Sequence, residues 1–88
     1  RGAVFSKNGS RILTWGIDDV PRSCTARLWN AETIEAIGQP MNHEGLTGAV
    51  FFKDGSLILT WNIFGMLRLW NGETGEAIDQ NEKKNHLA

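Results

Sequence analysis

The chain has 88 residues and a formal net charge of −1, with acidic and basic residues in nearly equal number. This balance gives neither the basic stripe that binds a phosphate backbone nor an acidic face for a cationic partner, so we expect no nucleic-acid ligand. The apolar runs are far shorter than the roughly 20 residues that cross a bilayer, so the sequence predicts no membrane span.

The single cysteine, Cys24, has no second thiol for an internal disulfide and no neighbours for a zinc site. One unpaired thiol fits a reducing compartment, and we expect a cytoplasmic protein. The sequence begins at Arg1 without a charged-then-apolar leader, from which we expect a fragment of a larger protein.

Two segments of the chain repeat each other. GAVFSKNGSRILTWGI, residues 2–17, returns 46 positions later as GAVFFKDGSLILTWNI, residues 48–63, with 12 of 16 positions identical. The match resumes at an offset of 41, pairing RLWNAETIEAIGQ at 27–39 with RLWNGETGEAIDQ at 68–80. The first copy therefore has five extra residues between 17 and 27. A period of roughly 40 to 45 residues made of short strand-like segments is typical of propeller blades.

The first copy predicts four strands. Asn8 and Gly9 supply the positive φ of a tight hairpin, and the run ILTW at 12–15 is apolar on successive residues, as in a strand covered on both faces. Residues 17–24, IDDVPRSC, have no periodicity and predict a loop. The expected strands are residues 2–6, 11–15, 25–30 and, as a weak edge strand closed by Gly38 and Pro40, residues 34–37.

The second copy predicts the same four strands after a connection at 41–46, MNHEGL. Its second loop is shorter, at about 62–65, and leads into a strand at 66–70 and a weak strand at 76–78. The tail at 81–88, NEKKNHLA, loses the apolar pattern. We expect it to be mobile, or to form a short helix if another part of the protein holds it.

The predicted fold class is all-β, with two four-stranded antiparallel sheets that resemble propeller blades. The expected boundaries are 1–40 for the first blade, 41–80 for the second and 81–88 for the polar tail. Two sheets in one chain cover only one pair of their apolar faces. Neighbouring blades or oligomerisation must then close the ring, and a homo-oligomer of three or four copies would give six or eight blades.

The pattern AVFS-x-x-GS-x-ILTW, then RLWN, then a linker with His43-Glu44-Gly45, resembles tandem WD-repeat β-propeller blades of the bacterial type. The resemblance covers residues 2–80. It implies a piece of a larger WD-repeat protein, of the kind that bacteria attach to signalling kinases or large NTPases.

Blades of this family contain a network of four polar side chains: a linker His, a Ser or Thr on the second strand, an Asp in the next turn and the Trp that ends the third strand. Such buried groups must satisfy one another. The residues that the resemblance assigns to this network are Thr14, Asp18 and Trp29 in the first blade and His43, Thr60 and Trp70 in the second. Phe64 occupies the Asp position of the second blade. The family's Trp-Asp is Trp-Asn here, at Asn30 and Asn71, which keeps a turn-capping side chain without its charge.

Some of these residues could instead do chemistry. His43 could be a metal ligand or a general base, but the only other histidine lies in the tail, which favours a structural role. Asp18 and Asp19 could be paired carboxylates, which requires environments that separate their pKa values. The chain contains no G-x-S-x-G, phosphate-loop, C-x-x-C or H-E-x-x-H motif. We therefore expect no enzyme activity, no cofactor and no metal.

The leading hypothesis is a non-catalytic interaction scaffold that presents its loops to a protein or peptide partner. Segment 17–24 is the candidate contact, through Asp19, Arg22 and Ser23, because it alone differs in length between the copies; neutral drift is the alternative explanation. A second hypothesis is a glycan- or small-ligand-binding propeller, assembled as a homo-oligomer, with Trp15 or Trp61 as a stacking platform. Their equivalent positions in the two copies favour a packing role instead.

Overall fold

A computed structural model of the chain describes residues 2–19 and 22–79, so the predictions for the tail at 81–88 lie outside the described residues. The strands are β1 (Gly2–Phe5), β2 (Arg11–Asp19), β3 (Arg22–Asn30), β4 (Ala36–Asn42), β5 (Leu46–Phe52), β6 (Leu57–Asn62), β7 (Leu67–Asn71) and β8 (Ala77–Asp79). They form two four-stranded antiparallel sheets: sheet I in the order β1-β2-β3-β4 and sheet II in the order β5-β6-β7-β8. The predicted all-β architecture of two such sheets is confirmed. Within the described ranges, no helix has the length and apolar character needed to cross a bilayer.

Each sheet has two different faces, because residues directly opposite one another in antiparallel strands lie on the same face and successive residues alternate. We name the faces after residues that the two copies share. The leucine face carries Leu13 and Leu28 in sheet I and Leu59 and Leu69 in sheet II, and the threonine face carries Thr14 and Trp29 in sheet I and Thr60 and Trp70 in sheet II.

The sheets stack with the leucine face of sheet I against the threonine face of sheet II, and β5 packs on β2 and β3. The buried apolar core residues are Leu13, Ala26, Leu28 and Met41 from sheet I and Ala49, Ile58 and Trp70 from sheet II. The outward faces are less covered. Ile12 is half-buried where its counterpart Ile58 is buried, and Leu59 is half-buried where Leu13 is buried. Each ILTW run therefore has one covered face and one partly open face.

The prediction of a loop at 17–24 is wrong. Strand β2 continues to Asp19 and β3 begins at Arg22, and the pairs Ile17–Cys24, Asp18–Ser23 and Asp19–Arg22 extend the ladder. A hairpin that extends beyond its neighbouring strands is held by backbone hydrogen bonds, which most sequences can make. Residues 17–24 have no apolar alternation in the sequence, so the pattern did not predict strands there. The five extra residues therefore lengthen a hairpin.

The predicted weak strand at 34–37 is also wrong in its bounds, because β4 spans Ala36–Asn42 and contains both Gly38 and Pro40. Proline lacks a backbone donor, but an edge strand has one side without a ladder partner. Gly38 has a φ of 72°, and the register of β4 shifts between Ala26 and Leu28 on β3. This irregularity accommodates residues that would end a central strand.

Candidate functional site

A buried polar network links the connection between the sheets to two strands of sheet II. The Nδ1 atom of His43 lies 2.8 Å from the hydroxyl oxygen of Thr60, and the indole N–H of Trp70 donates to the same oxygen at 3.0 Å. All three side chains are buried. The structure thus brings together the three residues that the resemblance assigns to the second sheet, and Thr60 joins the other two.

Local structure places each member. His43 follows β4, and the N–H of Leu46 donates to its carbonyl at 3.0 Å in a turn where Gly45 has a φ of 71°. Thr60 lies on the central strand β6, while Trp70 lies opposite Ile58 on β7. Thr60 and Trp70 are therefore diagonal neighbours on one face, a spacing that long aromatic side chains can bridge.

His43 remains neutral at pH 7. Burial, and secondly the positive charge of Arg68, lower the pKa of His43 from its ordinary 6.5 to about 4. Its Nε2 atom is buried without a hydrogen-bond partner among the described residues. In the family pattern an Asp would stand at position 64, but Phe64 is there, with 65% of its surface exposed. Among the described residues, the network therefore ends at this nitrogen of His43.

Sheet I repeats part of this arrangement. The indole N–H of Trp29 donates to the hydroxyl of Thr14 at 3.0 Å, and both residues are half-buried. Asp18, the third assigned residue, has its backbone in β2, and its side chain lies outside the part of the chain whose side chains are described. The Thr–Trp bond is thus common to both sheets, whereas the buried histidine accompanies sheet II.

Asn62 organises the turn of sheet II, and sequence reasoning did not identify it. Its side-chain oxygen accepts from the N–H groups of Phe64 at 3.1 Å and Met66 at 2.9 Å, and its amide donates to the carbonyl of Glu44 at 3.0 Å. The signal in the sequence is the Asn-x-x-Gly spacing, since Asn side chains commonly cap their own turns. Its counterpart in the first copy is Gly16, which hid the pattern.

Asn30 and Asn71 each close the turn after the third strand of their sheet. The side-chain oxygen of Asn30 accepts from the N–H groups of residues 32 and 33 at 2.8 and 3.1 Å. The oxygen of Asn71 accepts from the equivalent groups of residues 73 and 74 at 2.7 and 3.0 Å. An amide oxygen therefore serves this turn without the charge of an aspartate.

Trp15 and Trp61, the residues considered as stacking platforms, each pack across a glycine of the neighbouring strand. A Cβ added to Gly2 would lie 2.5 Å from the ring of Trp15, and one added to Gly48 would lie 2.4 Å from the ring of Trp61. The rings need that space, which explains why both copies have glycine there. Both tryptophans are half-buried rather than openly exposed.

The candidate contact residues Asp19, Arg22 and Ser23 lie at the end of the β2–β3 hairpin. Asp19 pairs with Arg22 and Ser23 pairs with Asp18 in the backbone ladder, so they share one short ribbon. The equivalent hairpin of sheet II ends its ladder at Trp61 and Leu67 and is correspondingly shorter. The structure thus places the three residues beyond the end of the shared ladder.

Polar contacts also cross between the sheets. The guanidinium of Arg11 donates to the carbonyl of Gly72 and lies 5.8 Å from the centre of the Phe51 ring. Arg68 donates to the carbonyl of Asn42 at 2.9 Å. Arg11 therefore combines a hydrogen bond with a cation–π contact, and both join sheet I to sheet II.

An open groove of about 410 Å³ lies between β1 and β5 and the turns after them. Its apolar lining comes from Val4, Phe5, Val50, Phe51 and Phe52. An exposed ion pair joins Lys7 and Asp54 at 3.3 Å on its rim, and solvent screens such a pair. In the described part of the chain, no three His, Cys, Asp or Glu side chains are grouped to hold a metal ion.

Comparisons of the chain with protein-family models, with curated proteins and with solved structures found no match.

Proposed function

We propose that the two sheets are tandem WD-repeat β-propeller blades and that the protein is a non-catalytic scaffold for a protein or peptide partner. The observation that carries this proposal is the stacking of two equivalent sheets, leucine face on threonine face, from repeats that share a Thr–Trp hydrogen bond. A stack in which unlike faces meet can continue in both directions. Further blades would cover the two outward faces, from copies of this chain, three or four in a ring, or from neighbouring segments of a larger protein.

The longer hairpin is the proposed contact with the partner. It extends the ladder by three residue pairs beyond Gly16 and Thr25, and it carries acidic, basic and hydroxyl residues at its end. Binding surfaces are commonly placed on connections that a rigid scaffold holds in position. The free thiol of Cys24 at its base fits a reducing, cytoplasmic setting.

The test exchanges the long hairpin for the short one. Replacing residues 16–25 by residues 62–66 of the same chain removes five residues and uses a turn that already closes sheet II. A second variant keeps the hairpin length and carries Asp19→Ala, Arg22→Ala and Ser23→Ala together. We expect both variants to melt like the wild type and to lose the proteins that the wild type captures, as identified by mass spectrometry. Unchanged capture by both variants would refute the contact.

A second candidate, a small-ligand-binding propeller, is favoured by the groove between β1 and β5. Apolar walls with a few polar groups at the rim are typical of ligand sites. Titration with a panel of glycans and small aromatic compounds, followed by the amide signals of Phe5 and Phe51 in NMR spectra, tests it. Shifts confined to the groove support this function, and the absence of any shift removes it.

A further inference from the structure

The stacking inside the chain identifies what the outward faces lack. On the threonine face of sheet II, Phe51 is half-buried beneath sheet I. Its counterpart on sheet I, Phe5, is 66% exposed. The same holds for the smaller residue on the same strand, because Ala49 is buried while Ala3 is exposed. Phe5 therefore occupies a position that the fold covers in the other copy.

The residue that contacts this phenylalanine position from the facing sheet also differs between the two copies. Arg11 covers Phe51 from the leucine face of sheet I, and its counterpart on the outward leucine face of sheet II is Leu57. An aromatic ring that met Leu57 would form an apolar contact in place of the cation–π contact. The two outward faces thus carry complementary apolar residues at equivalent positions.

The outer strands show a second matched change. A Cβ on Gly38 would lie 2.1 Å from the carbonyl oxygen of Thr74, so the sheets approach closely there. The counterpart of Gly38 in the repeat is Asp79, so the second copy has no glycine at this position. A close approach that requires glycine is not repeated in the second copy, so we expect a junction with a following sheet to be wider at this edge and to have room for a further side chain.

Ile34 supplies that side chain. It is the counterpart of Gly75, where an added Cβ would lie 3.4 Å from the carbonyl oxygen of Ile37 and 4.0 Å from the end of Leu28 in the neighbouring sheet. Ile34 is 63% exposed and has a φ of 61°, a strained conformation for a β-branched residue. The counterparts of Leu28 and Ile37 in the repeat are Leu69, which is half-buried on the outward leucine face, and Ile78, which is exposed on the edge strand β8. An exposed and strained isoleucine would therefore meet an apolar surface.

We propose that copies of this chain associate head to tail, with Phe5 and Ile34 of one copy packed on Leu57, Leu69 and Ile78 of the next. The inference rests on the proposed function, since it treats the outward faces as blade faces, and it adds the partner and the contact residues. The contact repeats the stacking seen within the chain, with apolar pairs in place of Arg11 and with Ile34 filling the wider edge.

The test uses charges that block one face each. Phe5→Lys should block the threonine face of sheet I, and Leu57→Glu should block the leucine face of sheet II. Each variant alone should associate at least about tenfold more weakly than the wild type in sedimentation velocity. When the two variants are mixed, the lysine of one variant faces the glutamate of the other at one junction, and the native Phe5 and Leu57 meet at the next. Native mass spectrometry should therefore show species that contain both variants. Ile63→Lys, at an exposed residue of the β6–β7 turn, should leave association unchanged.

Ile34→Gly provides a test that does not introduce charge. Glycine suits the positive φ, so the chain should fold at least as well, as judged by its circular dichroism. Association should nevertheless weaken by about tenfold, because the apolar side chain that fills the junction is lost. Wild-type assembly that Phe5→Lys, Leu57→Glu and Ile34→Gly all leave intact would overturn the contact while the scaffold proposal stands. Blocked variants that do not combine on mixing would also overturn it. A folded wild type with the mass of one chain would overturn both this contact and the proposal that the two outward faces are blade faces.

Discussion

Thr60→Val is the perturbation that tests the buried network most sharply. Valine keeps the shape of threonine and removes the oxygen that bonds Trp70 at 3.0 Å and His43 at 2.8 Å. Two buried polar groups then lose their partner, and each costs about 1–3 kcal/mol, so the free energy of unfolding should fall by about 2–6 kcal/mol. A domain of this length has a total stability of about 4–13 kcal/mol.

Thr14→Val is the matched control in sheet I. It removes the equivalent bond to Trp29, but this threonine is half-buried and has no histidine attached, so water can replace part of the loss. We expect a cost of about 0.5–1.5 kcal/mol. Urea unfolding followed by circular dichroism, at one fixed protein concentration, measures both variants. Equal and small losses for the two would refute the view that the network centred on Thr60 stabilises the fold.

Three further predictions follow from positions in the same sheets. Phe64→Asp should change the free energy of unfolding by less than about 1 kcal/mol, because the side chain is mostly exposed; a loss of several kcal/mol in urea would show that Phe64 belongs to the core. The folded pKa of His43, about 4, lies below the unfolded value of 6.5, so the contribution of neutral His43 to the free energy of unfolding is complete above pH 6.5 and is lost as the pH falls towards 4. His43→Gln should therefore flatten the pH dependence of stability between these two values. An identical slope in both proteins would contradict the assignment. Gly38→Ala should lower the free energy of unfolding by more than about 2 kcal/mol, because the added Cβ would clash with the carbonyl of Thr74. Gly9 has a similar φ but open space around it, so Gly9→Ala should cost only about 1–2 kcal/mol. Thermal melts that rank the two variants equally would contradict the close approach of the sheets.

The repeats made much of the architecture predictable. Two copies of one strand pattern predicted two equivalent sheets, and the resemblance to WD-repeat blades pointed to the Thr14–Trp29 and Thr60–Trp70 pairs. The end of the β2–β3 hairpin was not predictable, because residues 17–24 have no apolar periodicity and their Asp, Pro and Ser are typical of loops. Gly38 and Pro40 resemble strand breakers, and only their position on an edge strand allows them.

The residues that the sequence did not reveal are those at which the copies differ. Asn62 stands where the first copy has Gly16, and Arg11 stands where the second has Leu57. Comparing the copies emphasises what they share, which is the packing within each sheet. The contacts between sheets involve unlike faces, so their residues are not required to match, and three-dimensional stacking is needed to see them.

The solution mass of the wild-type chain tests the central claim most directly. Stacking of unlike faces leaves one leucine face and one threonine face open in each chain of 9.8 kDa, and covering them requires further sheets. Multi-angle light scattering over a range of concentrations should give a compact particle of three or four chains. A compact, cooperatively melting particle with the mass of a single chain at every concentration would contradict the account.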